Sequence, residues 1–194
     1  SLGANTTASY NSAFGHLTLA ANTTGDRNTA VGAFALDANT TADKNTGIGY
    51  QALSANTTGG DNTALGAFAL LANTTGANNV AMGQGALENN NASFNVAIGR
   101  GALQSNTTGG YNTAVGTYAM DANTTASENS AFGYNAMGKN TTGNYNTALG
   151  RESLSENTTG ANNTAVGNHA LSNSTGDSNT CLLYTSDAAD ERLS

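Results

Sequence analysis

Residues 62–78 read N-T-A-L-G-A-F-A-L-L-A-N-T-T-G-A-N, and this seventeen-residue unit repeats through nearly the whole chain. Its opening segment, N-x-A-x-G, begins at Asn11, Asn28, Asn45, Asn62, Asn79, Asn95, Asn112, Asn129, Asn146 and Asn163, and an eleventh copy opens at Asn179. Successive copies are 17 residues apart, except for 16-residue steps into Asn95 and Asn179. A short fixed period marks stacked coils, each of which buries its apolar side only against its neighbours. The expected fold is all-β: a parallel β-solenoid of about ten 17-residue coils. Both short steps fall outside the strand columns, in segments that read as surface turns tolerant of deletion.

The columns of the unit suggest a role for each position. Alternation in N-T-A-V-G reads as a short strand, with Asn, Ala and Gly on one face and Thr and Val on the other. The residue before the Gly is always apolar: Phe14, Val31, Ile48, Leu65, Met82, Ile98, Val115, Phe132, Leu149 and Val166. Four residues after the Gly comes Leu or Met, as in Leu36, Leu53, Leu70, Leu87 and Leu103. These two columns are the expected core, and fully burying each large side chain contributes roughly 1.5–3 kcal/mol. The small Ala/Gly face would permit close approach of another wall or another chain. Gly32, Gly49, Gly66, Gly83, Gly99 and Gly116 are its expected points of approach. Ala and Leu are good helix formers, so G-x-x-A-L is also compatible with a short helical turn in each coil.

N-T-T-G reads as the turn. Asn39, Asn56, Asn73 and Asn106 can bond to their own backbone, Thr hydroxyls can cap amides, and the Gly can supply positive φ. Stacked Asn side chains can also form hydrogen-bonded ladders from coil to coil. The N-T-T triplets match the N-glycosylation pattern, which in a repeat of microbial or viral type reads as coincidence. The chain contains no Pro, as expected if most backbone amides donate to a ladder.

Composition excludes several classes of function. Large aliphatic residues and Phe are scarce enough to suggest disorder, but only 10% of the chain is charged and the apolar residues keep fixed columns. A net charge of -7 argues against nucleic-acid binding and against adhesion to anionic membrane. No apolar run is long enough and free enough of Asn and Thr to span a membrane. The two His, His16 and His169, fall in variable positions just after the Gly, and no Ser/His/Asp or Cys/His set can be assembled around them. Acidic residues lack the fixed per-repeat Asp of calcium-binding solenoids. The reading is no enzyme, no metal and no cofactor. Phe34, Phe68 and Tyr118 share one variable column, with Tyr50 and Tyr134 beside it. They read as packing residues at coil edges, with carbohydrate binding as the alternative.

The repeat stops at Thr180, and the expected solenoid is residues 1–180. The remainder, CLLYTSDAADERLS, holds the only Cys, Cys181. From Cys181 to Glu191 it resembles the conceptual translation of a transposase-type sequencing adapter, of the kind that ends truncated metagenomic reading frames. Residues 181–194 are therefore expected to be a non-native, disordered tail. Ser1 falls in mid-repeat, so the chain is expected to be a fragment truncated at both ends.

N-V-A-I-G-R-G-A-L (Asn95–Leu103), with its relatives N-T-A-V-G and N-V-A-M-G, resembles the head repeats of trimeric autotransporter adhesins. The longer N-T-A-V-G-x-x-A-L-x-x-N-T-T-G form looks more like repeats in phage tail-fibre-like and bacterial surface proteins. Adhesin head repeats are usually shorter than this one. The resemblance implies a β-roll assembled as a homotrimer and located on a cell surface or virion tail fibre. Any host receptor or glycan would then be bound by regions outside the repeat. The Ala/Gly face is the candidate inter-chain contact, and a monomer using that face within its own coil is the alternative.

A structural or adhesive fibre segment is thus the leading functional reading. An ice-binding solenoid is a second, but it needs Thr at i and i+2, and the Thr of N-T-T are adjacent. A leucine-rich-like binding module is a third. Its usual unit of about 20–29 residues is longer than this one.

Overall fold

The computed structural model describes residues 2–182, and the expected tail is outside them except for Cys181 and Leu182. Eleven three-residue strands, from β1 (Ser12–Phe14) to β11 (Thr180–Leu182), form one parallel sheet in sequence order. The chain is a β-solenoid with one strand per coil. Pairing is in register throughout: Ala13 faces Ala30, Gly47 faces Ala64, and Ala148 faces Ala165. At the usual interstrand spacing of about 4.8 Å, the sheet is roughly 50 Å long.

Both 16-residue steps leave this register intact, with Ala81 opposite Ala97 and Ala165 opposite Cys181. The first removes one residue from the N-T-T-G corner. Asn91 then replaces two threonines, and its Oδ1 accepts from the backbone amides of Thr74 and Thr75 at 3.0 and 2.9 Å. The solenoid also extends past Thr180. Cys181 occupies the Ala column and Leu182 the apolar column of β11, two residues beyond the boundary expected from the repeat.

Only one of the two columns expected in the core lies there. The alternation is right, but its direction is reversed. The mid-strand residues Ala30, Ala64, Ala81, Ala97, Ala114, Ala131, Ala148 and Ala165 are completely buried. The apolar residues before the Gly point outward. Val31, Ile48, Leu65, Met82, Ile98, Phe132 and Leu149 are 36–49% exposed, Val115 and Val166 are half-buried, and Phe14 at the sheet edge is 78% exposed. The cause is the narrow cross-section of a seventeen-residue coil. A Cβ placed on Gly47 would lie only 3.4 Å from Leu36 Cδ1, so the space behind each strand holds a methyl group and little more. One large side chain per coil fills the interior: Leu19, Leu36, Leu53, Leu70, Leu87, Leu103, Met120, Met137 and Leu154 are all fully buried, as expected of the Leu/Met column.

Two asparagine ladders complete the interior. In the first, Asn11 Oδ1 accepts the Asn28 backbone amide at 2.8 Å, and Asn28 Nδ2 donates to the Ala42 carbonyl at 2.8 Å. In the second, Asn39 Nδ2 donates to Asn22 Oδ1 at 2.8 Å, and Asn56 Nδ2 donates to the Gly59 carbonyl at 2.9 Å. Burying an amide costs free energy unless it is bonded, and here nearly every one is. Asn73 Oδ1 is an exception, left without a partner at the coil where the short step displaces the next corner. Except for the exposed Asn5, the Asn of N-T-T are thus buried with their amides engaged.

The corners also differ from expectation. Neither Gly59, Gly76 nor Gly109 of N-T-T-G takes positive φ. Left-handed backbone falls instead at three other positions per coil, non-glycine everywhere but Gly85 and Gly101, such as Lys44 (φ 58), Gln51 (φ 54) and Leu53 (φ 54). The first Thr does not cap an amide but donates to a carbonyl of the next coil, as Thr23 Oγ1 does to Thr40 at 3.0 Å. No helix forms among the described residues; G-x-x-A-L is a run of turns in which Ala35 N–H reaches the Gly32 carbonyl at 3.3 Å. The Gly before that run does what was expected of it. At Gly32 (φ 125) an added Cβ would sit 2.6 Å from the Gly49 carbonyl oxygen, and the same crowding recurs at Gly49, Gly66, Gly83, Gly99 and Gly116.

Candidate interaction surface

Reversal of the strand faces gives the solenoid its most distinctive surface. Two columns run side by side along the outer face of the sheet. One is Ser12, Thr29, Thr46, Thr63, Val80, Val96, Thr113, Ser130, Thr147, Thr164 and Thr180, and the other runs from Phe14 to Leu182 through the apolar residues before each Gly. Neither column contains a charged residue. Alternation forces this arrangement: once Ala must face inward, its two strand neighbours must face out. Soluble monomers rarely expose a continuous apolar strip of this length, and such strips mark contacts.

Charge and aromatic character collect on either side of the strip. The residue before each Asn is exposed and left-handed, and this column holds Tyr10, Phe94, Tyr111 and Tyr145, with Phe94 and Tyr111 stacked at 5.0 Å. Lys44 and Asp61 pair across coils in the same column at 3.8 Å, an exposed contact worth little to stability. On the other side, His16, Phe34, Tyr50 and Phe68 pack edge-to-face with centroids 5.4–6.1 Å apart. These aromatics pack at coil edges.

Comparison with family models, curated proteins and solved structures finds no match to this chain. Among the described residues no three His, Cys, Asp or Glu side chains gather as a metal site would require. His169 lies 3.3 Å from Glu152, which also bonds Arg151 at 2.6 Å, while His16 is far away against Phe34. No helix among the described residues is long and apolar enough to cross a membrane. Asp121 is the one acid with a clear shift: burial pushes its carboxyl above the usual range, partly countered by backbone amides at Asp121 and Ala122.

The sequence reading found the right columns and missed this surface, because hydrophobicity ranks Val and Ile above Ala for burial. The relevant signal was volume. One strand face carries only Ala or Gly at mid-strand in all ten complete copies, and a position that tolerates nothing larger is more often enclosed than open.

Proposed function

We propose that this chain is a non-catalytic segment of a fibrous attachment protein on a cell surface or virion, and that its copies associate as a homotrimer through the outer sheet face. The observation that supports this is the uncharged strip running from β1 to β11. The inter-chain contact moves from the Ala/Gly face, which is buried, to the column of Val31, Ile48, Ile98 and their equivalents. A strip roughly 50 Å long and about 10 Å wide offers some 500 Å² per chain, below the roughly 800 Å² per partner of a stable pairwise interface. Three chains around an axis would bury the strip together with a flanking column of each neighbour, which favours a trimer over a dimer. A stalk or head built this way would hold a receptor-binding tip away from its base, with the tip's specificity lying outside the repeat.

Sedimentation equilibrium tests the assembly. The expected species has three times the 19.4 kDa chain mass. An Ile48→Lys/Ile98→Lys double variant should sediment as a monomer with an unchanged circular dichroism spectrum. A wild-type chain that stays monomeric at tens of micromolar would refute the trimer.

The Thr column favours a second reading. Thr29 and Val31 occupy i and i+2 on an exposed face, and an ice-binding surface needs a regular array of that kind. The second column varies from Val to Met, Leu and Phe, however, so the face is not flat. Appreciable thermal hysteresis would place this reading first.

A further inference from the structure

The edge-to-face stack of His16, Phe34, Tyr50 and Phe68 stops abruptly after the fourth coil. The position two residues after the invariant Gly, always left-handed, is Gly85 and then Gly101 in the next two coils, and resumes as Tyr118. A notch of about 100 Å³ lies beside these two glycines, with Glu88 and Gln104 packed against Gly85 and the Tyr118 ring against Gly101. Phe68 and Tyr118 border it, and Gln84, Glu88, Arg100 and Gln104 line it. The Tyr118 ring lies over Gly101, where an added Cβ would meet Cδ1 at 2.8 Å. Gln104 Nε2 donates to Glu88 Oε2 at 2.6 Å, which holds both planar groups in place.

Arg100 distinguishes this notch from the rest of the column. Its guanidinium sits 5.6 Å from the centroid of the Tyr118 ring, and no carboxylate of the described residues pairs with it. Three coils on, Arg151 occupies the same position after its Gly and also lies over a tyrosine, Tyr134, at 5.9 Å. There the following residue is Glu152, which neutralises Arg151 at 2.6 Å. In the notch that residue is Gly101. The repeat therefore contains its own control: one arginine followed by a carboxylate, and one followed by a glycine over which the Tyr118 ring lies.

We propose that this notch binds a single carboxylated sugar residue, as found at the end of an acidic glycan chain. Arg100 would take the carboxylate through two parallel N–H donors. The Tyr118 and Phe68 rings would cover the apolar face of the sugar ring, and Gln84, Gln104 and Glu88 would bond its hydroxyls. Glu88 separates this ligand from an acidic peptide or a phosphate: a carboxylate accepts sugar hydroxyls but repels a second negative charge. The site lies on the turn beside the sheet strip, so it does not depend on the proposed trimer contact.

A titration of the 194-residue chain, followed by two-dimensional NMR, compares methyl β-D-glucuronide, methyl β-D-glucoside and acetate. The glucuronide should shift the Gly85, Gly101 and Tyr118 resonances with millimolar affinity, and the other two probes should bind at least about tenfold more weakly. Arg100→Gln should abolish the shifts, whereas Arg27→Gln, on a distant column, should leave them unchanged. The assignment fails if the glucuronide leaves the three resonances unmoved, if acetate binds equally well, or if the glucoside does.

Discussion

Two neighbouring columns, both aliphatic, have opposite fates in this chain. Leu103 is fully buried, while Ile98, five residues earlier, is 38% exposed. Leu103→Ala should cost about 2–5 kcal/mol of stability, in the range of buried leucine truncations. Ile98→Ala should cost about 1 kcal/mol or less when urea unfolding is followed on dilute, unassociated chain. Equal costs would mean that the apolar column before the Gly is core after all. Asp121 supplies a pH-dependent contribution. Because burial raises its folded pKa above the unfolded value, the folded state holds its proton more tightly. Its contribution is present below the unfolded pKa and is lost as pH rises through the folded pKa. Asp121→Ser, which copies Ser54 and Ser155 at the same position of other coils without a charge, should raise the melting temperature at pH 7 and change it little at pH 3. A larger effect at low pH would contradict that sign.

Each coil is held by features that sequence propensity scales treat as unfavourable. Left-handed non-glycine residues, three in most turns, cost about 1–2 kcal/mol each in an ordinary chain. They persist because the stack fixes every coil from above and below: Leu36 N–H donates to the Ala52 carbonyl at 3.0 Å, and Lys44 N–H to the Asp26 carbonyl at 2.9 Å. Relieving one of these corners should therefore show directly in stability. Glu128 (φ 60) is exposed, and its side chain makes no ion pair among the described residues. Glu128→Gly should stabilise the chain by about 1 kcal/mol, seen as a higher urea midpoint, since glycine adopts this backbone without the Cβ penalty. A loss of stability would mean that the Glu128 side chain makes a contact of greater worth than the strain. The N-T-T-G corner was only partly legible for the same reason. The Asn ladders follow from a polar residue recurring at a fixed position, but the corner φ values depend on how the coil closes.

Over the whole molecule, contacts between strands join only consecutive coils, so stability should add coil by coil. Deleting residues 113–129, one complete 17-residue period, joins Asn112 to Ser130 in phase. The shortened chain should fold with a denaturant m-value lower by about a tenth, in line with the smaller surface exposed on unfolding. An eight-residue deletion at the same point breaks the phase of every column and should prevent cooperative unfolding. If the in-phase deletion also destroys the fold, nearest-neighbour additivity is wrong for this solenoid. The same one-dimensional order explains why a single shortened corner at Asn91 is absorbed locally, with every strand still in register.

By itself the sequence determined the period, the strand positions, the in-register stacking, the buried Leu/Met column and the capacity of Asn to form ladders. All of these follow from spacing, and spacing is written in the chain. Which strand face is inside was decided only by the tertiary structure. Alternation divides a strand into two faces but does not say which one is enclosed. That choice belongs to the cross-section of the closed coil, which holds an alanine methyl opposite one leucine and has no room for a valine as well. The exposed strip is a consequence of that cross-section, and the Arg100 notch lies on the turn beside it. Both appear only when coils that are distant in composition are placed one above another.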